Sequence, residues 1–414
     1  MLAQPGGQHA PHVNERHIAV ILIAAFAFLP IATDLYLASL PALKIALGVS
    51  TTDVQLTLSA FIAAFGLSQL VYGPLSDRLG RKPVLIVGAI IFALASIGAL
   101  FAQSLEWLIA MRVFQAVGAC SGQVIGRAIV RDVWGTSGAA HAMGMIIGFV
   151  VLVPLLAPWV GGHLEMSFGW RGAFAVHALV GVVFAVAAII ALPETNVMAA
   201  TASAGRAPPD PVKPLSIRQL AGDYAQVARN RTFWSYAIPV ACSYAGTFAW
   251  ISSAPFVLMD GLGLAPDHFG LAFSAPVIGY IVASFSLARL VNRFSLPRLL
   301  QVSTALALVG ALLLLVGALL EIRHALAVLL PLALVMIANG VTQPGGMAGA
   351  ISPFARVAGS ASALLGFIQM GMGAVMGLAI APWQDGRPLA LGIGLVAATI
   401  LAWAAYRALG RTQL

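Results

Sequence analysis

The chain has 414 residues, of which 60% are apolar and only 9% carry a charge. Soluble domains carry roughly 25% charged residues, so this composition excludes a protein whose entire surface faces water. The net charge of +8 is better explained by basic loops on one side of a membrane than by nucleic-acid binding.

Apolar runs of about twenty residues recur along the whole chain, each long enough to cross a hydrocarbon core of roughly 30 Å as a helix. Because the runs are continuous rather than alternating, helices are favoured over a β-barrel. We predict an all-α membrane protein with twelve transmembrane helices at 17–41, 54–76, 84–103, 105–126, 139–162, 171–192, 233–258, 267–288, 298–319, 325–345, 357–381 and 388–408.

The most polar stretch of the sequence, 193–231, divides these spans into two groups of six. We predict an N-terminal six-helix bundle at 1–192, a cytoplasmic linker at 193–231 and a C-terminal six-helix bundle at 232–414. A short amphipathic helix is predicted within the linker, near Ile217–Val227.

The basic residues are distributed unequally between the predicted loops. With the N-terminus placed in the cytoplasm, 17 of the 22 Lys and Arg residues lie on the cytoplasmic side, four lie on the other side, and Arg112 lies inside a span. This bias predicts a multi-pass protein of the bacterial inner membrane with both termini in the cytoplasm.

The first span contains an acid, Asp34, whereas the other 13 acidic residues are predicted in loops or at the ends of helices. Burial favours the neutral form of a carboxyl, so Asp34 is a candidate for taking up and releasing protons. Tyr36 is predicted to face a substrate cavity beside it. Two structural alternatives remain for Asp34: a hydrogen bond to the backbone near Pro30, or a permanent ion pair with Arg112.

The loop between spans 2 and 3 carries a dense motif. It reads Gly73-Pro-Leu-Ser-Asp77-Arg78-Leu-Gly80-Arg81-Lys82-Pro83. An acid that ends a helix beside a tight basic turn can hold two helices together, and such a partly exposed pair contributes about 1 kcal/mol. We predict a cytoplasmic gate here, joined by Arg131 and Asp132 after span 4, with Arg131 as a candidate partner of Asp77. The alternative is an ordinary basic loop on the cytoplasmic side.

Span 4 contributes Arg112 and Gln115, which lie three residues apart and so share one helix face. A guanidinium inside a membrane needs a partner that faces a cavity. We predict that Arg112 and Asp34 form the proton-coupling pair and that Gln115 faces the cavity. The alternative is that Arg112 extends to the outer headgroups.

Span 5 combines prolines with small residues: Pro154, Ala157, Pro158, Gly161 and Gly162. Prolines bend a helix and small residues allow close packing. We predict that this helix forms a tight seal against a neighbouring helix and rocks against it. The alternative is a simple packing role.

The second half carries polar residues within its predicted spans, none of them ionisable near neutral pH. They are Tyr244, Trp250, Asn339, Gln343 and Gln369. We predict that they line the substrate cavity, although interhelical hydrogen bonds would explain them equally. The segment Arg289–Arg298 corresponds to the Asp77 loop without its acid, which indicates two related repeats.

These motifs resemble those of the major facilitator superfamily. The Gly73–Pro83 loop is similar to its G-x-L-x-D-R-x-G-R-K/R pattern, and the segment from Arg112 is similar to R-x-x-Q-G-x-G, with Ala116 in place of the first glycine. Thr33-Asp34-Leu-Tyr36-Leu resembles the T/S-D-x-Y-L signature of the Bcr/CflA-type drug-resistance branch, although Ala38 replaces an inner proline. Span 5 is similar to the antiporter motif of the exporters, with Ala157 in place of glycine.

The resemblance implies two pseudo-symmetric six-helix bundles and proton-coupled export of small drug-like molecules, such as antibiotics, by alternating access. It implies an antiporter that is not an enzyme, with a proton gradient and no cofactor or metal. The partners would be a small-molecule substrate, protons and the lipid bilayer, with no nucleic acid, and the chain would be monomeric. The alternatives are a metabolite exporter or importer of the same fold, and a membrane sensor that transports nothing. The sequence contains no Walker loop, which disfavours an ATP-driven pump.

Overall fold

The computed structural model describes residues 15–196 and 217–410, and all regular secondary structure within these two ranges is helical. In chain order the helices are α1 (Glu15–Asp34), α2 (Leu40–Leu47), α3 (Thr51–Leu79), α4 (Arg81–Leu100), α5 (Leu105–Val150), α6 (Leu152–Phe168), α7 (Arg171–Ala191), α8 (Ile217–Ala228), α9 (Arg231–Pro255), α10 (Pro266–Leu290), α11 (Leu296–Leu319), α12 (Ala325–Ile351), α13 (Ala358–Ile380) and α14 (Leu389–Gly410). Short helical turns lie at Leu37–Ser39, Phe256–Gly261, Ser352–Val357 and Ala381–Trp383. The helix predicted near Ile217–Val227 is confirmed as α8.

Eleven helical segments in the described part of the chain are long and apolar enough to cross a membrane. They are Glu15–Leu47, Thr51–Leu79, Arg81–Leu100, Leu105–Gly135, His141–Phe168, Arg171–Ala191, Pro266–Leu290, Leu296–Leu319, Ala325–Phe354, Ala358–Trp383 and Leu389–Leu409. Each overlaps one predicted span. Gly135, with a φ of 64°, interrupts α5 and separates the fourth of these segments from the fifth.

The remaining predicted span, 233–258, corresponds to α9, which is 25 residues long but is not among the eleven. Its polar residues include Ser235, Ser243 and Ser252, all of them buried inside the protein. Because most of the surface of α9 contacts other helices rather than lipid, this helix does not need the apolar composition of its neighbours.

The first span is broken next to its acid. Helix α1 ends at Asp34, the turn Leu37–Ser39 follows, and α2 begins with Pro41 in its first turn. Proline is tolerated in the first turn of a helix because the N–H that it lacks would have no partner there. Asp34 therefore lies at the carboxyl end of a helix, where backbone carbonyls need partners from elsewhere.

The helices form two groups that meet along two seams. In the first group α5 packs against α1, α3 and α4, and in the second α9 packs against α12, α13 and α14. The seams between the groups are α3 against α13 and α6 against α10. At the second seam a Cβ atom on Gly162 would overlap the backbone of Pro266, and one on Gly270 would overlap the backbone of Trp159. Glycine is therefore required for this close approach.

Candidate functional site

Asp34 is buried, with only 4% of its surface exposed. The hydroxyl of Thr33 donates to its Oδ1 at 2.8 Å and to the carbonyl oxygen of Leu29 at 3.0 Å. The carboxyl is thus held by its own helix.

A cavity of about 200 Å³ lies between the two groups of helices. Residues from both groups line it: Leu29, Pro30, Thr33, Asp34, Ile62, Val151, Pro154, Tyr244, Thr247, Phe248, Trp250, Ile251, Phe273, Val277, Tyr280, Met336 and Gln343. Asp34 is the only acidic residue in this lining. Of the predicted cavity residues, the structure brings Tyr244, Trp250 and Gln343 together with Asp34.

Two other predicted cavity residues make hydrogen bonds between helices instead of lining the cavity. The amide of Asn339 on α12 donates to the carbonyl oxygen of Ser243 at 3.2 Å and to the hydroxyl of Thr247 at 3.1 Å, both on α9. Gln369 donates to the side-chain oxygen of Gln343 at 3.3 Å, so it stands directly behind a lining residue.

Arg112 is completely buried within the first group of helices. Its Nη1 donates to the carbonyl oxygen of Ala32 at 2.9 Å and to Oε1 of Gln115 at 2.5 Å. The guanidinium carbon lies 4.3 Å from the ring centre of Phe61 and 4.9 Å from that of Tyr36. The positive charge is therefore stabilised by backbone and side-chain oxygens and by two aromatic faces.

This arrangement is neither an extension of Arg112 to the headgroups nor an ion pair between Arg112 and Asp34. The side chain does not extend to the outer headgroups, because it is 0% exposed inside the bundle. Among the ion pairs of the described residues none joins Arg112 to Asp34. Instead, Arg112 binds a carbonyl at the end of α1, two residues before Asp34, where a positive charge is favourable.

Gln115 and Tyr36 belong to the same buried network and do not line the cavity. The amide of Gln115 donates to the hydroxyl of Ser96 at 2.7 Å and lies 3.2 Å from Nδ1 of His177. The other ring nitrogen of His177 lies 3.0 Å from the carbonyl oxygen of Ile31. His177 thus supports the end of α1 from α7.

The Asp77 loop lies at one end of the helices, which we call the basic end. Arg81 is its centre: Nη1 lies 2.5 Å from Oδ1 of Asp77 and donates to the hydroxyl of Ser76 at 2.7 Å, and Nε donates to Asp132 at 3.0 Å. The Arg81 side chain is 6% exposed, whereas that of Asp77 is 56% exposed and that of Asp132 is 20% exposed, so the pair with Asp77 is open to solvent on the side of the acid. The predicted contact of Arg131 with Asp77 is wrong in this structure, because Asp77 pairs with Arg81, four residues ahead on the chain. Arg131 itself is exposed.

Glu194 completes this cluster and was not predicted. Its carboxylate accepts hydrogen bonds from the backbone N–H groups of Arg81 and Lys82 at 2.9 and 3.1 Å. An acid at the beginning of a helix satisfies unpaired N–H groups and complements the helix dipole. Gly80, with a φ of 96°, provides the turn that brings the start of α4 into this position.

The basic end also contains a polar cavity of about 380 Å³ between the two groups. The lining residues that carry charge are Asp77, Arg81, Arg127, Arg131 and Asp223, and Gly73 and Tyr224 also line it. Tyr224 and Asp223 come from α8, so the described part of the linker forms one wall. Burial raises the pKa of the Tyr224 phenol, which therefore remains neutral.

At the other end, which we call the opposite end, polar bonds join the two groups. Nζ of Lys44 lies 3.2 Å from Asp260, and the hydroxyl of Thr52 donates to the carbonyl oxygen of Ala381 at 3.2 Å. Gln55, which is fully buried, donates to the carbonyl oxygen of Ser252 at 3.1 Å and to Oε1 of Gln384 at 2.5 Å. Gln384 in turn donates to the hydroxyl of Ser253. The cavity beside Asp34 is thus covered at this end.

The predicted proline-glycine helix is α6, which lies at a seam. Pro158 has no N–H for the carbonyl of Pro154, and the hydroxyl of Ser274 on α10 donates to the neighbouring carbonyl of Leu155 at 2.8 Å. Ala157 and Pro158 are buried, and a Cβ atom on Gly161 would overlap the carbonyl of Leu35. The motif residues therefore place α6 against both α10 and the segment that follows Asp34.

Membrane-spanning helices in two groups, with a cavity between them that contains an acid, define a membrane transporter. The sequence model described as Major Facilitator Superfamily matches residues 21–378, and the chain belongs to that family. This confirms the resemblance seen in the motifs.

Three curated relatives match most of the chain. A chloramphenicol resistance protein of Pseudomonas aeruginosa is 28% identical, over 92% of this chain and 88% of its own length. Multidrug resistance protein D of Escherichia coli strain K12 is 29% identical, over 90% of both. A bicyclomycin resistance protein homologue of Haemophilus influenzae is 26% identical, over 89% of this chain and 91% of its own length. The predicted drug-resistance branch is therefore confirmed.

Solved structures show the same fold. A bacterial homologue of the human lysosomal transporter Spinster, in an inward-facing and occupied conformation, has a TM-score of 0.70 at 18% identity and covers 98% of both chains. A D-xylose–proton symporter has a TM-score of 0.69 at 15% identity, over 93% of this chain and 97% of its own.

Proposed function

We propose that this protein exports small amphipathic molecules, antibiotics among them, in exchange for protons across a bacterial inner membrane. The proposal rests above all on Asp34, the only acidic residue that lines the cavity between the two groups in the described part of the chain. A carboxyl at such a position can bind and release a proton as the cavity opens to either side. Relatives named as resistance proteins and the tightly packed α6 support export over import.

In this proposal α9 is the twelfth span, and residues 1–192 and 232–414 form two six-helix bundles joined by the linker 193–231. Both termini lie in the cytoplasm, because the basic end then obeys the positive-inside rule. The bonds at the opposite end and the cavity at the basic end then correspond to an inward-facing state. The protein acts as a monomer, since each chain contains a complete cavity.

The transport cycle follows from this arrangement. Substrate enters from the basic end and Asp34 releases its proton there. The bundles then rock, and the cluster around Arg81 closes the inner side as a gate formed by Gly73, Asp77, Arg78, Gly80, Arg81, Lys82, Arg131 and Asp132. Substrate leaves at the opposite end while Asp34 takes up a proton. Arg112 favours the charged carboxylate by its positive field and holds the end of α1.

One membrane acid implies one proton for each substrate molecule. Exchange of a neutral molecule for one proton moves one charge, which is worth roughly 2.3 kcal/mol for every 100 mV of membrane potential. Transport of a neutral antibiotic should therefore respond to membrane potential as well as to a pH gradient.

The test is Asp34→Asn in proteoliposomes that carry a pH gradient, with radiolabelled chloramphenicol as the substrate. We expect gradient-driven transport to be lost while counterflow of the drug persists, since the substitution removes the titrating group and keeps the side-chain shape. Asp385→Asn is the matched control, because Asp385 is an exposed acid outside the cavity. Wild-type rates in Asp34→Asn vesicles would contradict the proposal. Separately, a resistance screen in a strain without its own exporters would identify which molecules the protein exports.

A further inference from the structure

The side chain of Trp250 offers an unused hydrogen-bond donor at the central cavity. Trp250 lies on α9, lines the cavity together with Asp34, and is 1% exposed. Its indole N–H has no hydrogen-bond acceptor among the described residues. An indole N–H can only donate, and a buried donor without an acceptor is unfavourable.

The orientation of this ring is fixed by its neighbours. Trp250 stacks on Phe273 of α10 with ring centres 5.6 Å apart and an angle of 9° between the planes. Just beyond Trp250, the backbone of Ser252 and the hydroxyl of Ser253 accept bonds from Gln55 and Gln384. A ring held in this way cannot easily turn to find an acceptor elsewhere.

The cavity lining includes the polar side chains of Thr33, Tyr244, Thr247, Tyr280 and Gln343, and it also presents two groups of different chemical character from its two sides. Asp34 on α1 offers a carboxyl that attracts a cation or a donor, and Trp250 on α9 offers a donor. The other lining residues are mainly apolar or aromatic. A molecule that contacts both groups would connect the two halves of the protein, which is what coupling of binding to rocking requires.

We propose that the N–H of Trp250 determines specificity by binding a hydrogen-bond acceptor of the substrate. The preferred substrate class is an aromatic amphipathic molecule with a cationic or donor group at one end and a carbonyl, nitro or ether oxygen at the other. This inference rests on the proposed function, in which the cavity beside Asp34 holds the substrate.

The experiment compares two small cations that differ mainly in one acceptor: 4-acetyl-N,N,N-trimethylanilinium, which has a carbonyl, and 4-ethyl-N,N,N-trimethylanilinium, which lacks it. Binding of each to the purified full-length protein is measured by titration calorimetry. In the wild type we expect the acetyl compound to bind about tenfold more tightly, the effect of one net hydrogen bond. In Trp250→Phe, which keeps an aromatic ring but lacks the N–H, we expect this ratio to fall to about one.

Retained binding of the ethyl compound shows that Trp250→Phe is folded and that its cavity is intact. Trp107→Phe is the control, because Trp107 is half exposed and its N–H already donates to the carbonyl oxygen of Gly98. The inference is overturned if the wild type shows no preference, if it binds neither compound, or if Trp250→Phe keeps the wild-type ratio. Failure of the proposed function is seen separately, as wild-type vesicles that show no transport under a pH gradient. If Trp250→Phe does not fold, Trp250→His, which keeps a ring N–H, should preserve the preference, and its loss there would also overturn the inference.

Discussion

Nη1 of Arg112 donates to the carbonyl oxygen of Ala32 at 2.9 Å, two residues before Asp34 on the same helix. A positive charge at the carboxyl end of a helix is stabilised by the helix dipole and by carbonyls that lack partners. Arg112 therefore holds the end of the helix that carries Asp34. The bond also links α5 to the point at which the first span breaks.

We expect Arg112→Lys to destabilise the protein although it keeps the positive charge. A lysine ammonium is not planar, so it cannot stack on the two aromatic faces that the guanidinium contacts while it also replaces both hydrogen bonds of Nη1. A buried carbonyl without its donor costs about 1–3 kcal/mol. Thermal unfolding in detergent, followed by tryptophan fluorescence, measures the change.

Arg171→Lys is the matched control for this prediction. Arg171 also donates to two backbone carbonyls, those of Leu100 and Ala102, but it is exposed at the start of α7. Water can replace those bonds, so its melting temperature should change much less. Equal shifts in the two variants would show that the burial of Arg112 does not matter.

The sequence predicts Asp34 and Arg112 as functional residues, because a charged side chain within a membrane span is energetically costly and therefore indicates a functional site. It does not predict how they are arranged, since that depends on where α1 breaks and on which carbonyls remain unpaired. Glu194 was missed for a similar reason: it lies 113 residues from its partner Arg81 in a stretch that looks like a plain linker. The position of α9 was predicted correctly because its apolar residues are numerous enough to indicate a helix despite its buried serines.

We expect Gly162→Ala to impair both stability and transport. A Cβ atom at this position would overlap the carbonyl of Pro266, so α6 would have to move away from α10 at the seam. Overpacking of this kind costs about 1–3 kcal/mol. Gly144→Ala on α5 is the control, because a Cβ atom there meets nothing within 4 Å. Melting temperature and drug transport in vesicles are measured together, and a harmless Gly162→Ala would contradict the close packing.

We expect Glu194→Gln to weaken the start of α4. The carboxylate accepts bonds from two backbone N–H groups, and the neutral amide loses the favourable interaction of its charge with the helix dipole. The expected loss is about 0.5–2 kcal/mol in thermal unfolding, the range for helix caps. Glu321→Gln serves for comparison, since Glu321 forms an exposed pair with Arg387 and should contribute little. Indistinguishable melting curves for Glu194→Gln and the wild type would argue against a capping role.

We expect Gln55→Leu to favour a state that is open at the opposite end. Gln55 donates to Ser252 on α9 and to Gln384, so it joins the two groups of helices. These bonds exist only while that end is closed, and leucine has a similar size but cannot donate. Each lost hydrogen bond is worth about 1 kcal/mol, which changes the ratio of the two states about fivefold.

Spin labels at Ile45→Cys and Trp383→Cys report this change, because both positions are exposed at the opposite end and lie in different groups. The labels are introduced with Cys120→Ser and Cys242→Ser, which remove the two native cysteines. Pulsed electron paramagnetic resonance should show a larger population of long distances in Gln55→Leu. Gln226→Leu, an exposed change on α8 at the basic end, should leave the distribution as in the wild type. If Gln55→Leu and Gln226→Leu give the same distances, the hydrogen bonds of Gln55 do not hold the opposite end closed, and Lys44 with Asp260 becomes the contact to break next.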